Sequence, residues 1–206
     1  VSIAGRGAGV VGSGVATPGP SYRVFSATYV VVASEVSEGA SSVSIAYVDS
    51  SGNPGATVSA VTDSSVVTID LTPPTLTSVS IVSDNAADTT RANAGDTITL
   101  SIAASEPVLV PTVSIAGHGA SVQAVAGGTP NRFVSTYTVV GSQVAEGNVS
   151  VSVVYTDLSG NVGAVATAMT DQSVVTIDKT APQLLVARIS SDNVADATRA
   201  NDGDTI

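Results

Sequence analysis

The sequence predicts an all-β chain of tandem sandwich domains, about seven strands in each and strung as beads, and two observations predict it. The first is an internal repeat. Val113-Ser114-Ile115-Ala116-Gly117 copies Val1-Ser2-Ile3-Ala4-Gly5, and Ser173-Val174-Val175-Thr176-Ile177-Asp178 copies Ser65-Val66-Val67-Thr68-Ile69-Asp70. From Tyr29 and Tyr137 to Gly95 and Gly203 the offset stays at 108 residues. That period is longer than a solenoid repeat of ~20–50 residues and matches a small β domain of ~100. The second observation is alternation of period two. Val149, Val151, Val153 and Tyr155 fall on one strand face, with Ser150 and Ser152 between them. The first copy keeps Val43, Ile45 and Tyr47 on that face and Ser44 opposite. A face that survives substitution is a core face, and no stretch sustains a helical period.

In chain order, the complete unit spans residues 73–178. Its strands are expected at Leu76-Ile81, Thr97-Ala103, Thr112-Ala116, Ser121-Ala124, Arg132-Val140, Val149-Asp157 and Gly163-Ile177, the last interrupted near Met169-Ser173. Ile98, Leu100 and Ile102 alternate with Thr97, Thr99 and Ser101, and Phe133, Ser135, Tyr137 and Val139 mirror Phe25, Ala27, Tyr29 and Val31. Turn chemistry separates the strands. Asp157-Leu158-Ser159-Gly160-Asn161 and its copy Asp49-Ser50-Ser51-Gly52-Asn53 read as hairpins, and Gly127-Gly128-Thr129-Pro130-Asn131 as a loop.

The other two copies are partial. Residues 1–70 have no counterpart of Pro73 through Thr112, so they form a unit without its first two strands. Residues 179–206 are the start of a third unit, with Ile206 at the place of Ile98. The first block is displaced by 112 rather than 108, which puts four extra residues between Gly7 and Phe25, around the proline-bearing Gly12–Pro20. The expectation is a window on a longer array, in which Pro73–Asp178 folds alone and Val1–Asp70 does not.

Composition narrows the class. Hydrophobic residues make up 43% of the 206 and charged residues 12%, enough to form cores, yet no apolar run approaches the ~18 residues of a membrane span. With Trp absent and aromatics at 3%, those cores are filled by Val, Ile, Ala and Leu. A net charge of −10 disfavours nucleic acid and anionic lipid, both bound through excess Lys and Arg. Cations are the natural small partners. Cysteine is absent, so no disulfide or thiolate chemistry enters.

A family resemblance rests on a series of short motifs. Asp178-Lys179-Thr180-Ala181-Pro182, or Asp70-Leu71-Thr72-Pro73-Pro74, opens the unit; Gly95-Asp96-Thr97-Ile98-Thr99-Leu100 and Ser105-Glu106-Pro107-Val108 follow; Tyr155-Thr156-Asp157-Leu158-Ser159-Gly160-Asn161 closes it. In that order they resemble the bacterial-type immunoglobulin-like (Big-type) repeats of giant surface proteins and adhesins. Similar repeats occur in the axial proteins of algal ciliary hairs, the mastigonemes. The resemblance implies tandem Ig-like β-sandwich domains, an extracellular or cell-surface location, and a structural role in an appendage or filament rather than a reaction. Its partners would be neighbouring repeats of the chain and lateral filament subunits. The alternatives within its scope are the stalk of a cell-adhesion protein and a carbohydrate-binding module, which would need an exposed aromatic platform; Tyr22 is the one aromatic outside the core-facing alternations.

Candidate site residues are mostly carboxylates. His118 is the single imidazole and aligns with Arg6, so no catalytic or zinc arrangement recurs between copies. If the first strand runs away from the N-terminal pole, Asp84 and Asp88 lie at the far pole with Asp178. Asp70, Glu106 and Asp157 then meet at the near pole, where the linker from the first copy arrives. Hard oxygen ligands from several loops are what Ca²⁺ takes, six to eight of them as a rule, so the trio is a candidate junction calcium site, with Asp84 and Asp88 as further candidates. Asp and Asn at these positions are equally what turns and caps require. Asn148-Val149-Ser150 is an N-glycosylation sequon without a counterpart at Ala40-Ser41-Ser42, and it has meaning only in a eukaryotic secretory pathway.

Overall fold

The computed structural model describes residues 1–13, 24–125 and 131–206. The proline-bearing stretch Ala16–Pro20, Tyr22 and loop residues Gly127–Pro130 lie outside the described residues. Among the described residues there is no helix, and so none long and apolar enough to cross a membrane. The chain is all-β.

Residues 1–70 hold β1 (Ser2–Ile3), β2 (Arg6–Gly7), β3 (Gly9–Ser13), β4 (Val24–Thr28), β5 (Gly39–Ala40), β6 (Val43–Ser44) and β7 (Thr68–Ile69). The second copy holds β8 (Leu76–Ser83), β9 (Arg91–Ala92), β10 (Thr97–Ala104), β11 (Thr112–Ile115), β12 (His118–Gly119), β13 (Ser121–Ala124), β14 (Arg132–Thr138), β15 (Gly147–Asn148), β16 (Val151–Val154) and β17 (Thr176–Ile177). The sheets of the second copy run β13-β14-β10-β8, β12-β11-β16 and β15-β17-β9. Those of the first run β3-β4, β2-β1-β6 and β5-β7. The pairings correspond one to one, except that β8, β9 and β10 have no equivalent in residues 1–70.

The central strand β10 explains why that difference matters. It pairs antiparallel with β14 from Thr97↔Thr138 to Ala103↔Arg132, and with β8 from Ile98↔Ser83 to Ala104↔Leu76, through an irregularity at Ala103/Ala104. Its alternation sends Ile98, Leu100 and Ile102 inward. They join one buried cluster with Val79 and Ile81 of β8, Phe133 of β14, Val113 and Ile115 of β11, and Val151 and Val153 of β16. Burial of these side chains stabilises by about 1.5–3 kcal/mol each relative to exposure, so removing β10 would open the cluster along its length.

One expected strand differs markedly. Gly163–Ile177 contributes only Thr176–Ile177 as strand, with a single bridge at Val153↔Ala166. Instead of a ladder, this segment presents hydroxyls to β8: Val79 N donates to Thr170 Oγ1 and Ile81 N to Ser173 Oγ, each at 2.9 Å. Leu184–Ile189, which aligns with β8, forms no strand and is exposed, because no β10 equivalent lies beside it.

Candidate functional site

The turn after β16 brings the first carboxylate into place. Asp157 Oδ1 accepts from the N–H groups of Ser159 and Asn161, both at 2.8 Å, and Oδ2 accepts from Asn161 Nδ2 at 2.8 Å. An aspartate that satisfies its own turn is local chemistry, and it recurs. Asp49 accepts from Ser51 N, Asn53 N and Asn53 Nδ2 at 2.8–2.9 Å. Yet Asp49 is exposed, whereas Asp157 is 1% exposed.

Two segments pack on the Asp157 turn, the linker and the chain after β10. Asp70 directly follows β7, and its side chain and carbonyl reach the second copy: Ser159 Oγ donates to Asp70 Oδ2 at 3.1 Å, and Asn161 Nδ2 to Asp70 O at 3.2 Å. Glu106 enters from the chain after β10. The bridge Val108↔Asp157 and the bond from Leu109 N to Thr156 O hold that segment against the Asp157 turn. Asp70, Glu106 and Asp157 can each present a carboxylate oxygen within 4.8 Å of the other two. They come from two copies of the repeat and three separate loops.

The electrostatics follow from this crowding. Burial, then the charges of Asp70, Asp157 and Glu38, push the Glu106 carboxyl above its ordinary range. For Asp157 burial works upward too, but the Asn161 side-chain bond and the turn's N–H groups outweigh it and hold the group low. Among the described residues the ion pairs are Arg91 with Asp88 and Asp178, and Arg199 with Asp196, none of which reaches the trio. Three like charges without a cationic side chain are what a divalent ion neutralises. With Asp157 Oδ1 already accepting two N–H bonds, its free lone pair is on Oδ2, while Glu106 accepts no hydrogen bond among the described residues.

The other candidates are engaged in turns. Asp84 Oδ1 accepts from Thr97 N at 2.7 Å, and Asp88 Oδ1 from Thr90 N at 2.9 Å and Thr90 Oγ1 at 2.7 Å. Neither joins the trio. His118 stacks on Tyr137, with ring centroids 5.4 Å apart, and its Nε2 lies 3.1 Å from Gln143 O. Asn148 is exposed on β15, and its Oδ1 accepts from Thr176 Oγ1 at 3.0 Å.

One device escaped the sequence reading. Glu38 Oε1 accepts from Leu71 N at 3.0 Å and Thr72 Oγ1 at 2.6 Å; Glu146 Oε1 accepts from Lys179 N at 2.8 Å and Thr180 Oγ1 at 2.9 Å. A glutamate thus clamps each linker as it leaves its unit. Lys179 adds bonds from Nζ to Gly141 O and Val144 O at 2.9 and 2.7 Å. The signal was present in the sequence, since Glu-Gly at 38–39 and 146–147 and Thr at 72 and 180 both recur at the repeat offset. Comparison with family models, curated proteins and solved structures gives no match for this chain.

Proposed function

We propose that this chain is a non-catalytic structural segment of a long extracellular protein, in which tandem Ig-like β-sandwich repeats scaffold a cell-surface appendage or filament. The observation that carries this reading is the linker: Glu38 and Glu146 clamp it in the same way after successive units, and Asp70 then bonds to the Asp157–Asn161 turn of the next. Such a device has a mechanical use, because it sets the direction in which one unit leaves another. A Pro-containing linker adds stiffness of its own, through Pro73, Pro74 and Pro182. In this reading the acidic trio is where Ca²⁺ would tighten the junction, with neighbouring repeats and lateral subunits as the protein partners.

Small-angle scattering on the whole chain tests the proposal. Glu38→Ala combined with Ser159→Ala removes the clamp and one junction bond while leaving the core of residues 73–178 intact. The variant is expected to scatter as a broader set of unit–unit arrangements than the wild type, at an unchanged melting temperature for the second unit. Identical scattering curves would mean that the linker bonds do not set the geometry and that the mechanical reading fails.

A further inference from the structure

The one N-glycosylation sequon of the chain, Asn148-Val149-Ser150, lies where the finished fold has room for the group that the sequon specifies. Asn148 ends β15, an outer strand of the sheet β15-β17-β9, and stands opposite Thr176 of β17. Among the described residues no strand pairs with the other edge of β15. Val149 turns inward and is 7% exposed within the core cluster. Asn148 and Ser150 flank it, and both are exposed. The alternation that buries Val149 therefore presents both polar side chains of the motif to solvent.

The amide is oriented as well as exposed. Thr176 Oγ1 donates to Asn148 Oδ1 at 3.0 Å, which ties the carbonyl end to β17. Asn148 Nδ2, the atom that bonds to sugar, donates to nothing among the described residues. Other asparagines of the chain spend that nitrogen in turns: Asn85 Nδ2 donates to Asp96 Oδ2 at 2.7 Å, Asn161 Nδ2 to Asp157 Oδ2 at 2.8 Å and Asn193 Nδ2 to Asp204 Oδ2 at 2.8 Å. Nor does the strand need the amide. In the first copy Ala40 holds the same place, paired with Thr68 as Asn148 is with Thr176, and the ladder of β5 with β7 forms without it.

We infer that Asn148 is an attachment site for an N-linked glycan, acquired when the chain passes through a secretory compartment that holds a lipid-linked oligosaccharide diphosphate. In the transfer Nδ2 forms a bond to the anomeric carbon of the first sugar and gives up one proton. The bond from that carbon to the diphosphate oxygen breaks, and the lipid diphosphate leaves with the electron pair. No oxidant or reductant enters. The contribution of the fold is to leave space for a bulky, solubilising product. The glycan would cover the free edge of β15, two residues from the Glu146 clamp on the outgoing linker, and keep other strands from pairing there. This inference rests on the extracellular reading above and adds to it a modification and the strand that it shields.

The test secretes the whole 206-residue chain from eukaryotic cells behind a cleavable leader and maps glycans on the product by peptide mass spectrometry. A glycan is expected at Asn148 and at no other asparagine, released by the amidase that hydrolyses the bond between glycan and asparagine. Ser150→Ala breaks the motif without touching the bond between Asn148 and Thr176, and should be secreted folded with complete loss of the glycan. Ser150→Thr should retain it. Glycosylated wild type is expected to melt no lower than Ser150→Ala. Secreted, folded wild type with an unmodified Asn148, a glycan that survives Ser150→Ala, or a melting temperature lowered by the glycan would overturn the inference. Any of those results, with the linker variant still altering the scattering, would leave the structural reading standing.

Discussion

Gly163 has no side chain because the Tyr155 ring occupies the space one would need. Its N–H donates to Tyr155 O at 3.0 Å, and a Cβ there would overlap the ring itself. The same pair recurs as Gly55 and Tyr47. Gly163→Ala is therefore expected to destabilise the second unit by about 1–3 kcal/mol through overpacking, which calorimetry would read as a fall of roughly 4–8 °C per kcal/mol. Gly119→Ala is the control, since a Cβ at that position meets nothing within 4 Å. Equal melting of the two variants would show that the Tyr155 contact does not constrain the fold. At this scale sequence reading assigned the tyrosine to the core face but gave no hint of the glycine, because the two are joined by a close approach that no periodicity reports.

At the scale of the element, β16 and β10 were legible and the segment after Gly163 was not. Val151 is buried and Ser150 is exposed, as the alternation requires. Val151→Asp should cost about 3–5 kcal/mol, the usual penalty of an uncompensated buried charge, and Ser150→Asp almost nothing. Denaturant melts of the two variants that shifted equally would refute the assignment of faces. Residues 163–177 also alternate, yet they serve β8 through the Thr170 and Ser173 hydroxyls rather than through a backbone ladder. A hydroxyl on a strand-like stretch looks the same in sequence whether it faces water or accepts from a neighbouring strand. The carboxylate trio was legible because winding direction alone places loops at one pole or the other. The glutamate clamp was missed because its partners are a backbone N–H and a threonine across 33 and 34 residues.

For the whole molecule, the junction predicts how stability responds to protons and to calcium. Glu106 is held above its ordinary value, so between the unfolded and folded values the folded chain binds more protons. Its contribution to stability is thus lost as pH rises through that window and remains lost at neutrality. Glu106→Gln should accordingly raise the unfolding temperature at pH 7 in EDTA, with the gain vanishing below about pH 4, where the carboxyl is protonated in both states. If the trio takes Ca²⁺, wild-type chain should melt higher in 5 mM Ca²⁺ than in EDTA by linkage, roughly as RT ln(1 + [L]/Kd), and Glu106→Gln should respond less. Melting curves of both proteins that are indifferent to Ca²⁺ would remove calcium from the junction.

The third copy separates what sequence determines from what tertiary structure decides. Its loop rebuilds itself unaided: Ser191 N to Ala197 O at 2.9 Å, Thr205 N to Asp192 Oδ1 at 2.8 Å and Asn193 Nδ2 to Asp204 Oδ2 at 2.8 Å repeat the bonds of Ser83, Thr97 and Asn85. Gly203 even keeps a φ of 95°, against 99° at Gly95. Yet Leu184–Ile189 forms no strand, whereas Leu76–Ser83 does. Turns and caps close over a few residues, so the sequence by itself determines them wherever it recurs. Strands need a partner's N–H and C=O groups, and cores need a facing sheet. Tertiary structure alone therefore decided that the Thr170 and Ser173 hydroxyls accept from β8 rather than facing water, and that Asp157 lies covered beneath the linker and the Val108 segment.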